Sequence, residues 1–67
     1  MSVLKVIEIL ASSDKSWEDA VGNAVKSAAK SLRGIRSVYV QDQSAVVKDN
    51  IITEFRVNCK ITFEVFE

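Results

Sequence analysis

Apolar and polar side chains alternate along the C-terminal third of the chain. Ile51, Phe55, Val57, Cys59, Ile61, Phe63 and Val65 share one parity, broken only by Thr53. Glu54, Arg56, Asn58, Lys60, Thr62 and Glu64 take the other, with apolar exceptions at Ile52 and Phe66. A period of two sends successive side chains to opposite faces, so Ile51 to Phe66 is predicted to be a half-buried antiparallel strand. Ile35 to Val46 reads as its partner, and Lys48-Asp49-Asn50 supplies the turn of a hairpin. A tight Asp49-Asn50 turn directs Val38 and Val40 inward and leaves Ser37, Tyr39, Gln41 and Gln43 on the polar face, a parity that a bulge would change.

The N-terminal segment Val3 to Leu10 is rich in β-branched residues and carries only Lys5 and Glu8 as charges. Apolar residues occupy both parities, which predicts a strand covered on both sides or lying at an interface. After the polar stretch Ala11 to Lys15 the period changes. Trp17, Ala20, Val21, Ala24, Val25, Ala28, Ala29 and Leu32 recur at helical spacing, with Gly22, Asn23, Lys26, Ser27, Lys30 and Ser31 on the other side. Ser16 suits the N-cap, because its hydroxyl can accept from a free backbone N–H of the first turn. Asp19 stands where a capping-box acid would reach back to it. Glu18 and Asp19 also complement the positive end of the helix dipole, and Arg33 followed by Gly34 marks the end. The mostly alanine stripe lets this helix lie close against a sheet. The fold class is therefore α+β, in the order β-α-β-β, within one domain spanning residues 1–67.

Size turns this pattern into an argument about partners. A 67-residue chain buries only about 60% of its unfolded surface and usually needs a disulfide, a structural metal or a partner subunit. Its one cysteine and absence of histidine exclude an intrachain disulfide and the usual zinc site, which leaves self-association. Strand length points the same way. Sixteen extended residues span roughly 50 Å, whereas a compact domain of this size has a radius of gyration of about 11 Å. One helix of roughly 24 Å cannot cover such a strand, so the sheet has apolar surface to spare.

Composition excludes more than it selects. Nine basic and nine acidic residues give no net charge, and 48% of residues are hydrophobic, which argues against disorder and against broad nucleic-acid contact. Without histidine there is no imidazole base, and no cofactor loop is present, so nothing points to an enzyme. No stretch reaches the roughly 20 apolar residues of a membrane helix, no signal-peptide core forms, and a single free thiol suits the cytoplasm. Trp17 lies on the inward helix stripe and reads as a core residue. Cys59 shares the parity of Val57 and Ile61 and reads as a buried, inert thiol. Asp42, Glu54 and Glu64 are carboxylates that could serve a hard cation, best at a symmetry axis that multiplies one carboxylate. Gly22 lies mid-helix, where glycine is either tolerated or marks the close approach of a neighbouring chain.

The opening Lys5-Val6-Ile7-Glu8-Ile9, followed by Ala11-Ser12-Ser13, resembles the dodecin family, whose opening is typically K-V-x-E-I-V-G-T-S. Cys59-Lys60-Ile61-Thr62-Phe63-Glu64-Val65 is similar to that family's terminal strand. The resemblance implies a three-stranded antiparallel sheet wrapped around one helix, and a homo-oligomer of twelve copies forming a hollow shell. It also implies a flavin such as FMN or riboflavin as ligand, stacked on a tryptophan of the second strand and met by a glutamine of the third. In this sequence Ser37 takes the tryptophan position and Arg56 the glutamine position. Serine offers no π-face, and stacking contributes about 0.5–1.5 kcal/mol beyond area burial; the arginine adds a charge that calls for an anion or carboxylate. The chain thus looks closer to the dodecin variants described as calcium-binding. Ser37 and Arg56, with Tyr39 and Gln41 on the same predicted face, are the candidate ligand-contacting residues. The expected function is a non-enzymatic shell that binds or stores a small molecule or ion, the alternative being a structural shell whose pocket has decayed.

Overall fold

A computed structural model describes residues 3–65. Three strands and one helix follow in the order β1 (Val3–Ser13), α1 (Trp17–Ala29), β2 (Ile35–Lys48) and β3 (Ile51–Val65). The strands form one antiparallel sheet in the order β1-β3-β2, with the C-terminal strand in the middle. The predicted β-α-β-β fold and hairpin are present, while Phe66 lies outside the described residues. The turn closes through Asp49 and Asn50 at φ 52° and 63°, the left-handed pair that matches the twist of the flanking strands.

Helix α1 lies over one face of the sheet. Ala20 and Ala24 pack with Val57 and Cys59, and Ile9, Ala11, Trp17, Val21 and Val38 close around them. Ala20, Ala24 and Ala28 are all buried, so alanine at four-residue spacing brings the helix backbone close to the strands. Ser16 caps the helix as expected, its Oγ accepting from the Asp19 N–H at 2.9 Å. The expected return contact from Asp19 does not form. Asp19 instead accepts a hydrogen bond from Ser13 Oγ at 2.6 Å, and Ser13 Oγ accepts from the Lys15 N–H at 2.9 Å.

Element ends differ from the sequence expectation in three places, the first being β2, which runs past Val46 to Lys48 and leaves the turn to Asp49 and Asn50. β1 runs past Leu10 to Ser13, because Ala11, Ser12 and Ser13 continue the ladder opposite Val57, Arg56 and Phe55. The helix stops at Ala29 rather than reaching Leu32. Ser31 and Leu32 both donate to the Ala28 carbonyl, which tightens the last turn and exposes Ala29. Gly34 then adopts φ 73°, a conformation that favours glycine.

The β2–β3 register corrects the predicted faces. It shifts between Ile35 and Ser37, between Val40 and Asp42, and between Val46 and Val47. Gln41 is the extra residue of the second shift. Beyond it Gln43 stands opposite Val57, on the helix-covered face, and not beside Ser37 and Tyr39 as simple alternation predicted. The third shift leaves Thr53 unpaired and sets Ile52, rather than Thr53, opposite Val47. This explains why Thr53 breaks the alternation. β3 governs the shape: the described residues extend 51 × 20 × 13 Å with a radius of gyration of 13.7 Å, against about 11 Å for a compact chain. The long strand protrudes, and the hairpin tip lies beyond the cover of β1 and the helix.

Candidate functional site

The sheet face away from the helix carries Glu8, Tyr39, Asp42, Arg56 and Lys60, all exposed. Cross-strand partners share a face, so the register reads directly as rows. Val6, Thr62 and Ser37 make one row; Glu8, Lys60 and Tyr39 the next; then Leu10, Asn58 and Asp42; then Ser12, Arg56 and Ser44. The last two rows line an open concavity of about 440 Å³. Glu54 stands at its rim, 3.8 Å from Arg56 Nε.

Of the predicted ligand-contacting residues, only Arg56 lines this concavity. Ser37 and Tyr39 are exposed on the same face but pair with Thr62 and Lys60. Thr62 lies six positions along β3 from Arg56, roughly 20 Å away in an extended strand. Gln41 occupies the bulge between them. One chain therefore does not bring Ser37 and Arg56 together. Arg56 is 59% exposed, as solvated as its ion pair with Glu54 allows. The Arg36–Glu64 ion pair lies at the far end of the face, at the Arg36 bulge.

Ser12, Ser44 and Asn58 are the site residues that sequence reasoning did not find. Each is an ordinary polar strand residue, and only the ladder sets them around Arg56. Bulge formation at Gln41 turns Asp42 and Ser44 toward Asn58 and Arg56. Asn58 Oδ1 is buried without a hydrogen-bond partner among the described residues. Buried polar atoms are nearly always paired, and an unpaired one costs about 1–3 kcal/mol, so this face carries an unmet acceptor.

Trp17 and Cys59 fall on the helix-covered side. The Trp17 ring packs edge-on to Phe55 at 4.8 Å, and its Nε1–H donates to the Ser44 carbonyl at 2.9 Å. It pins the helix start to β2 and is not available for stacking a ligand. Cys59 is fully buried, and burial pushes its thiol above the ordinary value of 9.0, which suppresses the nucleophilic thiolate.

The groups that the family resemblance implies fit this single chain poorly. Serine at position 37 leaves Tyr39 as the aromatic of the central outer rows, on the Glu8 row and outside the concavity. No group of three or more Cys, Asp or Glu residues is placed to hold a metal among the described residues, whereas calcium takes six to eight oxygens. No helix among the described residues is long and apolar enough to cross a membrane.

Comparison with known proteins agrees with this geometry. The family model for dodecins matches residues 3–66. Calcium dodecin of Mycobacterium tuberculosis is 36% identical over 64 residues, covering 96% of this chain and 90% of that protein. Its crystal structure, that of a calcium-chelating antigen with a calcium-binding site, superposes with a TM-score of 0.85 at 34% identity, over 97% of this chain and 93% of that one. Dodecin from Streptomyces coelicolor gives a TM-score of 0.94 at 26% identity, covering 98% and 94%. A variant of the Thermus thermophilus dodecin gives 0.95 over all of both chains at 24% identity, a likeness of fold. From its strand order, its matched length and its relatives, this chain belongs to the dodecin family.

Proposed function

We propose that this protein is a non-enzymatic, ligand-binding homo-oligomer of twelve copies, closer in chemistry to calcium dodecin than to a flavin store. The observation that carries this reading is the outer sheet face. It combines a polar concavity around Arg56 and Asp42 with exposed Leu4, Val6, Leu10 and Tyr39, and it is half-walled within one chain. Copies meeting on this face would bury the apolar residues and bring carboxylates such as Asp42 and Glu54 together. Ser37, Tyr39 and Gln41 would then line the same cavity from a neighbouring copy. The 36% identical calcium dodecin supports a cation as ligand, and Ser37 in place of a stacking aromatic argues against flavin.

Native mass spectrometry tests assembly and retained ligand together, with a dodecamer expected and a monomer overturning the reading. Calorimetry with calcium on chelator-treated protein should show saturable heat that Asp42→Asn diminishes, and no heat would remove calcium. Riboflavin fluorescence should stay unquenched at micromolar protein; tight quenching would restore the flavin role.

A further inference from the structure

The row Ser12, Arg56 and Ser44 crosses all three strands, and the helix holds it from behind at both ends. Asn23 Nδ2–H donates to the Ser12 carbonyl at 3.1 Å, and Trp17 Nε1–H donates to the Ser44 carbonyl at 2.9 Å. Ser12 and Ser44 belong to β1 and β2, the two edge strands, so the helix ties both edges at the row that Arg56 centres. The serines are thereby fixed on either side of Arg56, as a pre-organised binding row requires. Their hydroxyls and the Arg56 guanidinium donate no hydrogen bond among the described residues, and all three residues are exposed. Arg56 Nε lies 3.8 Å from Glu54 Oε1, an ion-pair separation beyond hydrogen-bond length. The guanidinium fork is therefore unused.

We propose that the Ser12–Arg56–Ser44 row is a subsite for a tetrahedral oxyanion, a phosphate or sulfate group, bound beside a cation at Asp42. This rests on the reading of the concavity as the ligand site and divides that site between two charges. Neighbouring strands are about 4.8 Å apart, which sets one hydroxyl on each side of a fork that takes two oxygens. Two oxygens on the fork and one on each hydroxyl account for the four of a tetrahedral anion, whereas a carboxylate has only two. Charge explains why the anion comes with a cation. Asp42 stands one row away, roughly 7 Å along the strands, and Glu54 is at the rim, so carboxylates outnumber the one cationic side chain of the lining. An oxyanion alone is held weakly against those carboxylates, and a cation alone is repelled by Arg56. Each binds better when the other is present.

Equilibrium dialysis of the intact protein against radiolabelled sulfate, at low ionic strength in sodium or calcium chloride, makes the test. Saturable retention is expected in both salts. Arg56→Gln should weaken it at least about tenfold, because a charged fork is lost, and Ser12→Ala and Ser44→Ala should each weaken it by roughly 2–10-fold. Asp42→Asn should tighten sulfate roughly fivefold in sodium by removing a like charge. Calcium should tighten sulfate on the wild type but not on Asp42→Asn, and by linkage sulfate should tighten calcium by the same factor. All four substitutions are at exposed positions, and circular dichroism confirms that each variant folds. No saturable sulfate in either salt, or retention by Arg56→Gln equal to that of the wild type, would overturn the inference. Displacement of the label by acetate as readily as by inorganic phosphate would overturn the tetrahedral assignment. Tightening by Asp42→Asn with no effect of calcium would keep the row and remove calcium from the proposed function, so the two failures read differently. Stronger displacement by methyl phosphate than by inorganic phosphate would identify the group as an ester, and equal displacement as the free ion.

Discussion

On its helix-covered face the sheet buries Val57, Cys59 and Ile61 completely, whereas on the opposite face Leu4, Val6, Leu10 and Tyr39 are more than half exposed. The same three strands build both faces. On the first, alanines at positions 20, 24 and 28 let a helix of 13 residues settle close to the strands, and the core closes within one chain. The second has no such cover, and it also holds the concavity and the unmet Asn58 acceptor. The contrast separates what the chain completes alone from what it leaves for a partner or ligand.

The largest test of that contrast lies in the core. Ile61→Ala should lower stability by about 2–5 kcal/mol in urea unfolding, because a fully buried methyl-rich side chain leaves a cavity. The contrast breaks if Ile61→Ala is nearly neutral, since the covered face would then not be a close-packed core. Adjacent serines sharpen the same point at smaller scale. Ser13 is buried and holds Asp19 and the Lys15 N–H, so Ser13→Ala should cost about 1–3 kcal/mol. Ser12 faces outward, and Ser12→Ala should change stability by less than about 0.5 kcal/mol.

Gly22 probes the outer surface of the helix. A methyl group there meets nothing within 4 Å, so Gly22→Ala should stabilise the fold by about 0.5–1 kcal/mol. A loss of stability or of assembly, read from thermal unfolding and mass spectrometry together, would place another chain against the helix. An effect on stability as small as that of Ser12→Ala is expected at Arg56. Its pair with Glu54 is solvent-exposed, so in subunits kept apart Arg56→Ala should shift urea stability by less than about 0.5 kcal/mol, while ligand affinity, measured by calorimetry on the assembled protein, should fall.

Local chemistry made much of the fold legible. Ser16 announced the helix start through its capping hydroxyl, the alanine stripe announced the covered face, and Asp49-Asn50 announced the turn. Arg56 was placed on the outer face by alternation alone. The site around it was less legible, because its other members come from different strands. Ser12 lies in a segment that reads as loop and becomes strand only through pairing with Arg56. Ser44 shares that row only because of the extra residue at Gln41, and the same insertion carries Gln43 to the helix side.

By itself the sequence determined the number and type of elements, the helix cap, the buried stripe and a final strand too long for its own core. These follow from local periodicity and side-chain chemistry, which act over a few residues. Tertiary structure decided the strand order, the full reach of β1 and the faces beyond each bulge. It also decided that Ser12, Ser44 and Asn58 gather at Arg56 while Ser37 does not. The physical reason is the period of two. A single unpaired residue reverses every face that follows it, and whether it bulges depends on the ladder formed with strands distant in the chain.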